Sequence, residues 1–128
     1  MKRNMDLIRQ ILQKIEDSDS HCIEVHTGNI GNETRDVVAY HYHLLCDAGL
    51  LKMDPDFFVS DGERYQLTPT VFAVLTWKGH EFLDASRDPD VWKNAKDIAG
   101  KSANFSFRLL YAVLTDLALH KSRSLMGF

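Results

Sequence analysis

The sequence predicts an α+β domain in which helices pack against an antiparallel sheet. Two observations carry this prediction. Apolar residues recur at helical spacing in several stretches, the first of which contains Met5, Ile8, Ile11, Leu12 and Ile15. In the middle of the chain, Phe57-Phe58-Val59 and Tyr65-Gln66-Leu67 flank Asp61-Gly62, a strong signal for a β-hairpin. The 128 residues suffice for one globular domain with its own core.

In chain order, the periodicity predicts a helix at 4–17, a strand at 21–26, a turn at 27–32, a helix at 33–48, strands at 50–53, 57–59, 65–67 and 71–75, and helices at 77–87, 89–99 and 106–121. Residues suited to cap a helix stand at the predicted starts, namely Asn4, Asn32 or Thr34, Thr76 and Asp88. Gly49 follows the second helix, where a left-handed stop is expected. On that helix, the predicted apolar face consists of Val37, His41, Leu44, Leu45 and Ala48.

This order of elements is typical of a winged-helix domain, a helix-turn-helix variant with a β-hairpin wing. The middle helix of such a core is not evident at 27–32. We therefore expect a winged-helix-like domain at 1–100 and a C-terminal helix at 101–128, which packs on that domain or on a partner. The two parts are expected to form a single globular domain overall.

Charge is divided unevenly along the chain. The net charge is −3. Residues 1–76 carry 7 Lys and Arg against 12 Asp and Glu, and residues 77–128 carry 8 against 6. No apolar stretch approaches the roughly 18 residues that a membrane helix needs, and the N-terminus lacks the apolar core of a secretory signal. Cys22 and Cys46 stand outside any paired-cysteine motif, so we expect reduced thiols in a cytoplasmic protein.

Catalytic and metal-binding patterns are missing from the sequence. It has neither a phosphate-binding glycine loop nor a nucleophile motif, so we expect no enzyme and no cofactor. His41 and His43 would point about 200° apart on a helix and cannot share an ion, so His41 is expected in the core and His43 on the surface. His21, Cys22 and His26 have weak ligand spacing. The sequence predicts no metal site.

Two motifs carry a resemblance to known families. The segment 41–51 resembles the end of the recognition helix in arsenic-repressor-like winged-helix proteins, and Leu-Thr-x-x-Gly at 75–79 resembles the step from wing to helix in such regulators. Over about 1–96, these motifs and Tyr-His-x-x-Leu-Leu-x-x-Ala-Gly-Leu at 40–50 resemble the domain of unknown function 2513 family. Its members are small proteins frequent in bacteria, prophages and phages. The acidic insertion at 57–67 departs from the compact basic wings of DNA-binding regulators.

The first functional hypothesis is a DNA-binding regulator. In it, Arg35, Tyr42 and His43 would lie nearest the bases, and Lys52 and Arg64 would contact phosphates. Charge opposes this hypothesis, because the second helix with Glu33 and the wing at 52–64 each carry a net charge of −2. Affinity for DNA depends largely on neutralised phosphates.

The alternative hypothesis is a winged-helix scaffold that binds a protein without direct DNA contact. A host or defence-system protein would contact an acidic face formed by Asp54, Asp56, Asp61 and Glu63. The C-terminal helix offers a wide apolar surface with Phe107, Tyr111 and Leu114, which suits a homodimer interface or a partner groove. Packing of this helix on its own domain is an equally good interpretation.

Overall fold

The computed structural model describes residues 2–18, 23–24, 30, 32–54, 58–61, 64–67, 72–101 and 106–127. In chain order the elements are α1 (Met5–Glu16), β1 (Ile23–Glu24), α2 (Arg35–Asp47), β2 (Leu51–Asp54), β3 (Phe58–Asp61), β4 (Arg64–Leu67), β5 (Phe72–Leu75), α3 (Trp77–Ala85), α4 (Pro89–Gly100) and α5 (Phe107–Leu125). The α+β class, the β-hairpin and the C-terminal helix are therefore confirmed. The predicted turn at 27–32 lies mostly outside the described residues.

The strands form two antiparallel groups. A three-stranded sheet has the order β1-β5-β2, with Leu51 opposite Leu75 and Asp54 opposite Phe72. Between Asp54 and Phe72 the chain leaves this sheet and forms the β3–β4 hairpin. In the hairpin, Asp61 lies opposite Arg64. The hairpin predicted around Asp61-Gly62 is thus confirmed.

Capping residues set the starts of the helices. The Asn4 side chain accepts hydrogen bonds from the backbone N–H groups of Asp6 and Leu7, and Asp88 does the same for Asp90 and Val91. Thr34 caps α2 and Ser106 caps α5 through single bonds of this kind. Each satisfies backbone donors that have no partner inside the first helical turn. The last helix ends four residues later than predicted, at Leu125, because the polar sequence after Lys121 continues the helix without apolar periodicity.

The chain forms two compact units, residues 1–80 and 81–128, with the division inside α3. In the first unit, α1 packs against α2 and β5, and α2 also packs against β2. Its core is made of apolar side chains from these elements, including Leu7, Ile11, Leu12, Val38, Leu45, Leu51 and Leu75. The apolar face predicted for the first helix is buried along its whole length.

In the second unit, α4 and α5 pack together around a group of aromatic rings. Phe82 forms an edge-to-face pair with Trp92 at 6.0 Å and stacks with Tyr111 at 6.1 Å between ring centroids. Lys121, far along α5, forms an ion pair with Asp88 at the start of α4, so the two helices run in opposite directions. The hydrogen bond from Lys121 and those from the backbone lower the pKa of the Asp88 carboxyl.

Candidate functional site

Helix α2 is the element to which the sequence assigns recognition. Thr34 caps its start, and Gly49 adopts a left-handed conformation with φ +76° just after its end. A positive φ is strained for residues with a β-carbon, so Gly49 suits this stop. The 13 residues of α2 span about 20 Å at 1.5 Å each. That length suits either a DNA groove or a peptide.

The buried side of α2 differs from the predicted one. Its buried residues are Val38, Ala39, His41, Tyr42 and Leu45. His41 and Leu45 are therefore predicted correctly, whereas Val37, Leu44 and Ala48 are wrong, since the first two are half-buried and Ala48 is exposed. The physical reason is that apolar and aromatic residues surround most of this helix, so periodicity alone does not select one face.

Tyr42 requires a correction to the DNA-binding hypothesis. Its side chain is only 1% exposed, so it belongs to the core and is not presented to a base. Burial raises the pKa of the Tyr42 hydroxyl to about 12, because the phenolate would lose its hydration. Of the three residues assigned to bases, Arg35 is exposed and His43 is half-buried.

The raised pKa of Tyr42 predicts a loss of stability in alkali. Below pH 10 the hydroxyl is protonated in both states, so it adds no pH dependence. Between pH 10 and 12 only the unfolded chain ionises, so the free energy of unfolding falls as the pH rises, by about 1 kcal/mol at pH 11 from this group. Urea unfolding at pH 8 and pH 11 should show a smaller loss in Tyr42→Phe than in the native chain. Equal losses would contradict this assignment.

The outward side of α2 carries Asp36, Tyr40, His43 and Asp47, which we call the α2 stripe. Their spacing of four, three and four residues places all of them on one helical face, opposite the buried one. Asp36 and Asp47 are exposed, while Tyr40 and His43 are half-buried, with ring centroids 6.4 Å apart. The stripe therefore combines an aromatic centre with a negative charge toward each end.

His41 joins α2 to the start of α1. It is fully buried, its Nε2 accepts a hydrogen bond from the Asn4 backbone N–H at 2.8 Å, and its Nδ1 lies 2.8 Å from the Val37 carbonyl oxygen. Because Nε2 accepts, Nδ1 carries the proton and donates to Val37. The Asn4 side chain also donates to Glu33, 3.4 Å away. The core role predicted for His41 is confirmed.

The end of α2 is held by the start of α3. Thr76 Oγ1 donates to the Gly49 carbonyl oxygen at 2.6 Å and accepts from the Gly79 N–H at 3.0 Å. The Thr76 N–H donates to the Leu50 carbonyl oxygen at 3.1 Å, and Lys78 Nζ donates to the Ala48 carbonyl oxygen at 3.3 Å. The two sequence motifs that are far apart along the chain thus meet in one backbone junction, which fixes the direction of α2.

The remaining predicted residues of the wing are only partly described. Lys52 is exposed on β2. For Asp54, Asp61 and Arg64 the structure describes the backbone alone, and Asp56 and Glu63 lie outside the described residues. The backbone of β4 comes within 8 Å of α2, measured between Cα atoms. The hairpin is therefore a neighbour of the helix that carries the stripe.

The apolar surface predicted on the C-terminal helix is largely used inside its own unit. Leu114 is fully buried, so its assignment to a partner interface is wrong. Phe107 and Tyr111 are half-buried and stack on each other and on Phe82. The reason is that α5 packs along α4 and closes the aromatic group of the second unit.

The described part of the chain shows neither a metal-binding cluster nor a membrane-spanning helix. It contains no group of three or more His, Cys, Asp or Glu side chains arranged to hold a metal ion. His21, Cys22 and His26, whose spacing suits a metal only weakly, lie outside the described residues. No described helix combines the length and apolar character needed to cross a membrane.

Comparison with known proteins identifies relatives by sequence. A family model described as "Hypothetical protein (DUF2513)" matches residues 2–105. An "Uncharacterized protein" of Haemophilus influenzae (strain ATCC 51907 / DSM 11121 / KW20 / Rd) is 37% identical over 108 residues, which cover 83% of this chain and 86% of the relative. No solved structure matches the chain at a significant level.

Proposed function

Because the chain belongs to the DUF2513 family, whose description states no activity, we propose a function from its own geometry: a non-enzymatic winged-helix module that recognises another protein through α2. The topology supports the winged-helix interpretation. A helix, a strand, the candidate recognition helix and four further strands follow one another; β1, β5 and β2 form the sheet in that order, and β3 and β4 form the hairpin between β2 and β5. We place this module in the cytoplasm, with Cys22 and Cys46 reduced.

The observation that carries the proposal is the character of the α2 stripe. In a DNA-reading helix, outward side chains approach an array of phosphates and base edges. Here the outward face presents Asp36 and Asp47, both exposed, and Tyr42 is buried on the opposite side. Two outward carboxylates would be repelled by phosphates, whereas they are well suited to attract cationic side chains of a protein.

A DNA-binding regulator is the second candidate. Its support is the same topology together with the exposed cations Arg35 and Lys52. This candidate predicts that the chain binds duplex DNA and that the affinity falls steeply as the salt concentration rises. It also predicts that Arg35→Ala reduces the affinity.

The test captures partners from native host cells with three tagged forms of the full chain. The first is native, the second carries Asp36→Lys and Asp47→Lys, and the third carries Asp97→Lys and Asp116→Lys. All four positions are exposed on helices. Each variant replaces two aspartates by two lysines, so both change the net charge by the same amount. We expect a protein that is retained by the native and third forms and lost from the second.

Duplex binding provides the contrary outcome. If no protein shows that pattern, while pooled genomic fragments bind in fluorescence anisotropy at low salt and Arg35→Ala weakens the binding, the chain recognises DNA and the first proposal fails. Circular dichroism of every variant excludes unfolding as the cause of a loss.

A further inference from the structure

We propose that the α2 stripe binds an extended basic segment of its partner, with cationic side chains at alternate positions. This inference rests on the proposed function, and it specifies the chemistry of the partner. The argument uses the length of the stripe, its charges and the aromatic residues at its centre.

The two carboxylates define the length of the bound segment. Asp36 and Asp47 are eleven residues apart on one helix, which corresponds to about 16 Å along the axis. In an extended peptide, every second side chain points to the same side, and four residues span about 13 Å. Two arginines at positions i and i+4 would therefore need only a few Å of side-chain reach to pair with both carboxylates.

The centre of the stripe suits a third cation. Tyr40 and His43 are half-buried, and their rings are tilted by 34° with centroids 6.4 Å apart. Both residues remain partly exposed, so part of the stripe's centre is accessible to a ligand. A guanidinium attracted to the face of a tyrosine forms a cation–π contact, and position i+2 of the same peptide would reach Tyr40. A phosphate backbone has no group that could take this place.

The charge distribution also favours a basic segment over an acidic or apolar one. Across 1–76, the acidic residues outnumber the basic ones by 12 to 7. The long-range field of this part of the chain therefore attracts cations before contact is made. An apolar helix would leave Asp36 and Asp47 without a counter-charge, and an acidic segment would be repelled.

The experiment uses two labelled peptides of equal composition and the full-length chain. One peptide has the core Arg-Ser-Arg-Ser-Arg, and the other has three consecutive arginines followed by two serines, both flanked by Gly-Ser linkers. Fluorescence anisotropy measures the dissociation constant. We expect tighter binding of the alternating peptide, because its three cations point to one side.

Variants locate the binding. Asp36→Asn with Asp47→Asn should weaken binding of the alternating peptide about tenfold, because two exposed ion pairs are lost together. Tyr40→Leu should weaken it about threefold through the lost cation–π contact. Asp97→Asn with Asp116→Asn, an equal change of charge on α4 and α5, should leave it unchanged.

Other results would overturn the inference. Equal weakening by both double variants, or equal binding of the two peptides, would mean that bulk charge alone is responsible. Absence of binding would overturn it as well. None of these three outcomes affects the partner capture described above, which tests recognition of a protein by α2. Conversely, binding of duplex DNA that Arg35→Ala abolishes would overturn the proposed function itself.

Discussion

Replacing Gly79 by alanine should destabilise the first unit by about 3 kcal/mol or more. A β-carbon at this position would lie 2.2 Å from the Leu50 carbonyl oxygen and 3.3 Å from Leu75 Cδ2. The first neighbour is a backbone atom that accepts the hydrogen bond from Thr76, so it cannot move without opening the junction between α2 and α3. Urea unfolding followed by circular dichroism measures the effect.

Gly100→Ala is the matched control for this prediction. Gly100 also lies in a helix, and a β-carbon there would meet nothing within 4 Å. Alanine has the higher helix propensity, by up to about 1 kcal/mol, so this variant should be neutral or slightly more stable. If Gly79→Ala were as stable as Gly100→Ala, the close approach of α3 to Leu50 would be contradicted.

The second large effect is expected for His41→Ala, which should lower the free energy of unfolding by about 3 kcal/mol. The substitution leaves a cavity in a fully buried position and removes the acceptor of the Asn4 N–H. A part-buried donor without an acceptor is costly to the extent that the protein keeps water from replacing the lost bond. The same urea measurement, with hydrogen exchange at the Asn4 amide, tests the prediction.

His120→Ala serves as the comparison for that variant. His120 is an exposed residue of α5, so its removal should leave the urea midpoint unchanged. A small effect of His41→Ala, together with continued protection of the Asn4 amide, would show that another group satisfies this donor and would refute the role assigned to the imidazole.

Local sequence rules predict much of this fold. Capping by Asn4, Thr76 and Asp88 and the stop at Gly49 depend on interactions within a few residues, so each could be read from the sequence. The β3–β4 hairpin follows from a turn signal between two strand-forming runs. The continuation of α5 to Leu125 was not predicted, because the residues after Lys121 carry no apolar pattern and helix ends of this kind have no local marker.

The candidate site was harder to predict than the fold. On α2, Val37, Val38, Tyr40, Tyr42 and Leu44 leave no clearly polar side, so the choice of buried face depends on the shape of α1 and the sheet. The structure turns Val38 and Tyr42 inward. The α2 stripe becomes visible only after that choice is known. The contact of Gly79 with Leu50 is equally remote in sequence, since nothing near Gly79 reveals which backbone it approaches.

The pairing of Asp54 with Phe72 has a consequence for how the family can vary. These two positions are neighbours in the sheet, so everything between them, residues 55–71, leaves and returns at one point of the ladder. Doubling the length of such an excursion costs only about 0.6 kcal/mol in closure entropy. Relatives can therefore lengthen, shorten or recompose this segment while the sheet register is unchanged. Because β4 lies beside α2, each change would give the same helix a different neighbour on a constant framework and, under the function proposed above, a different choice of partner.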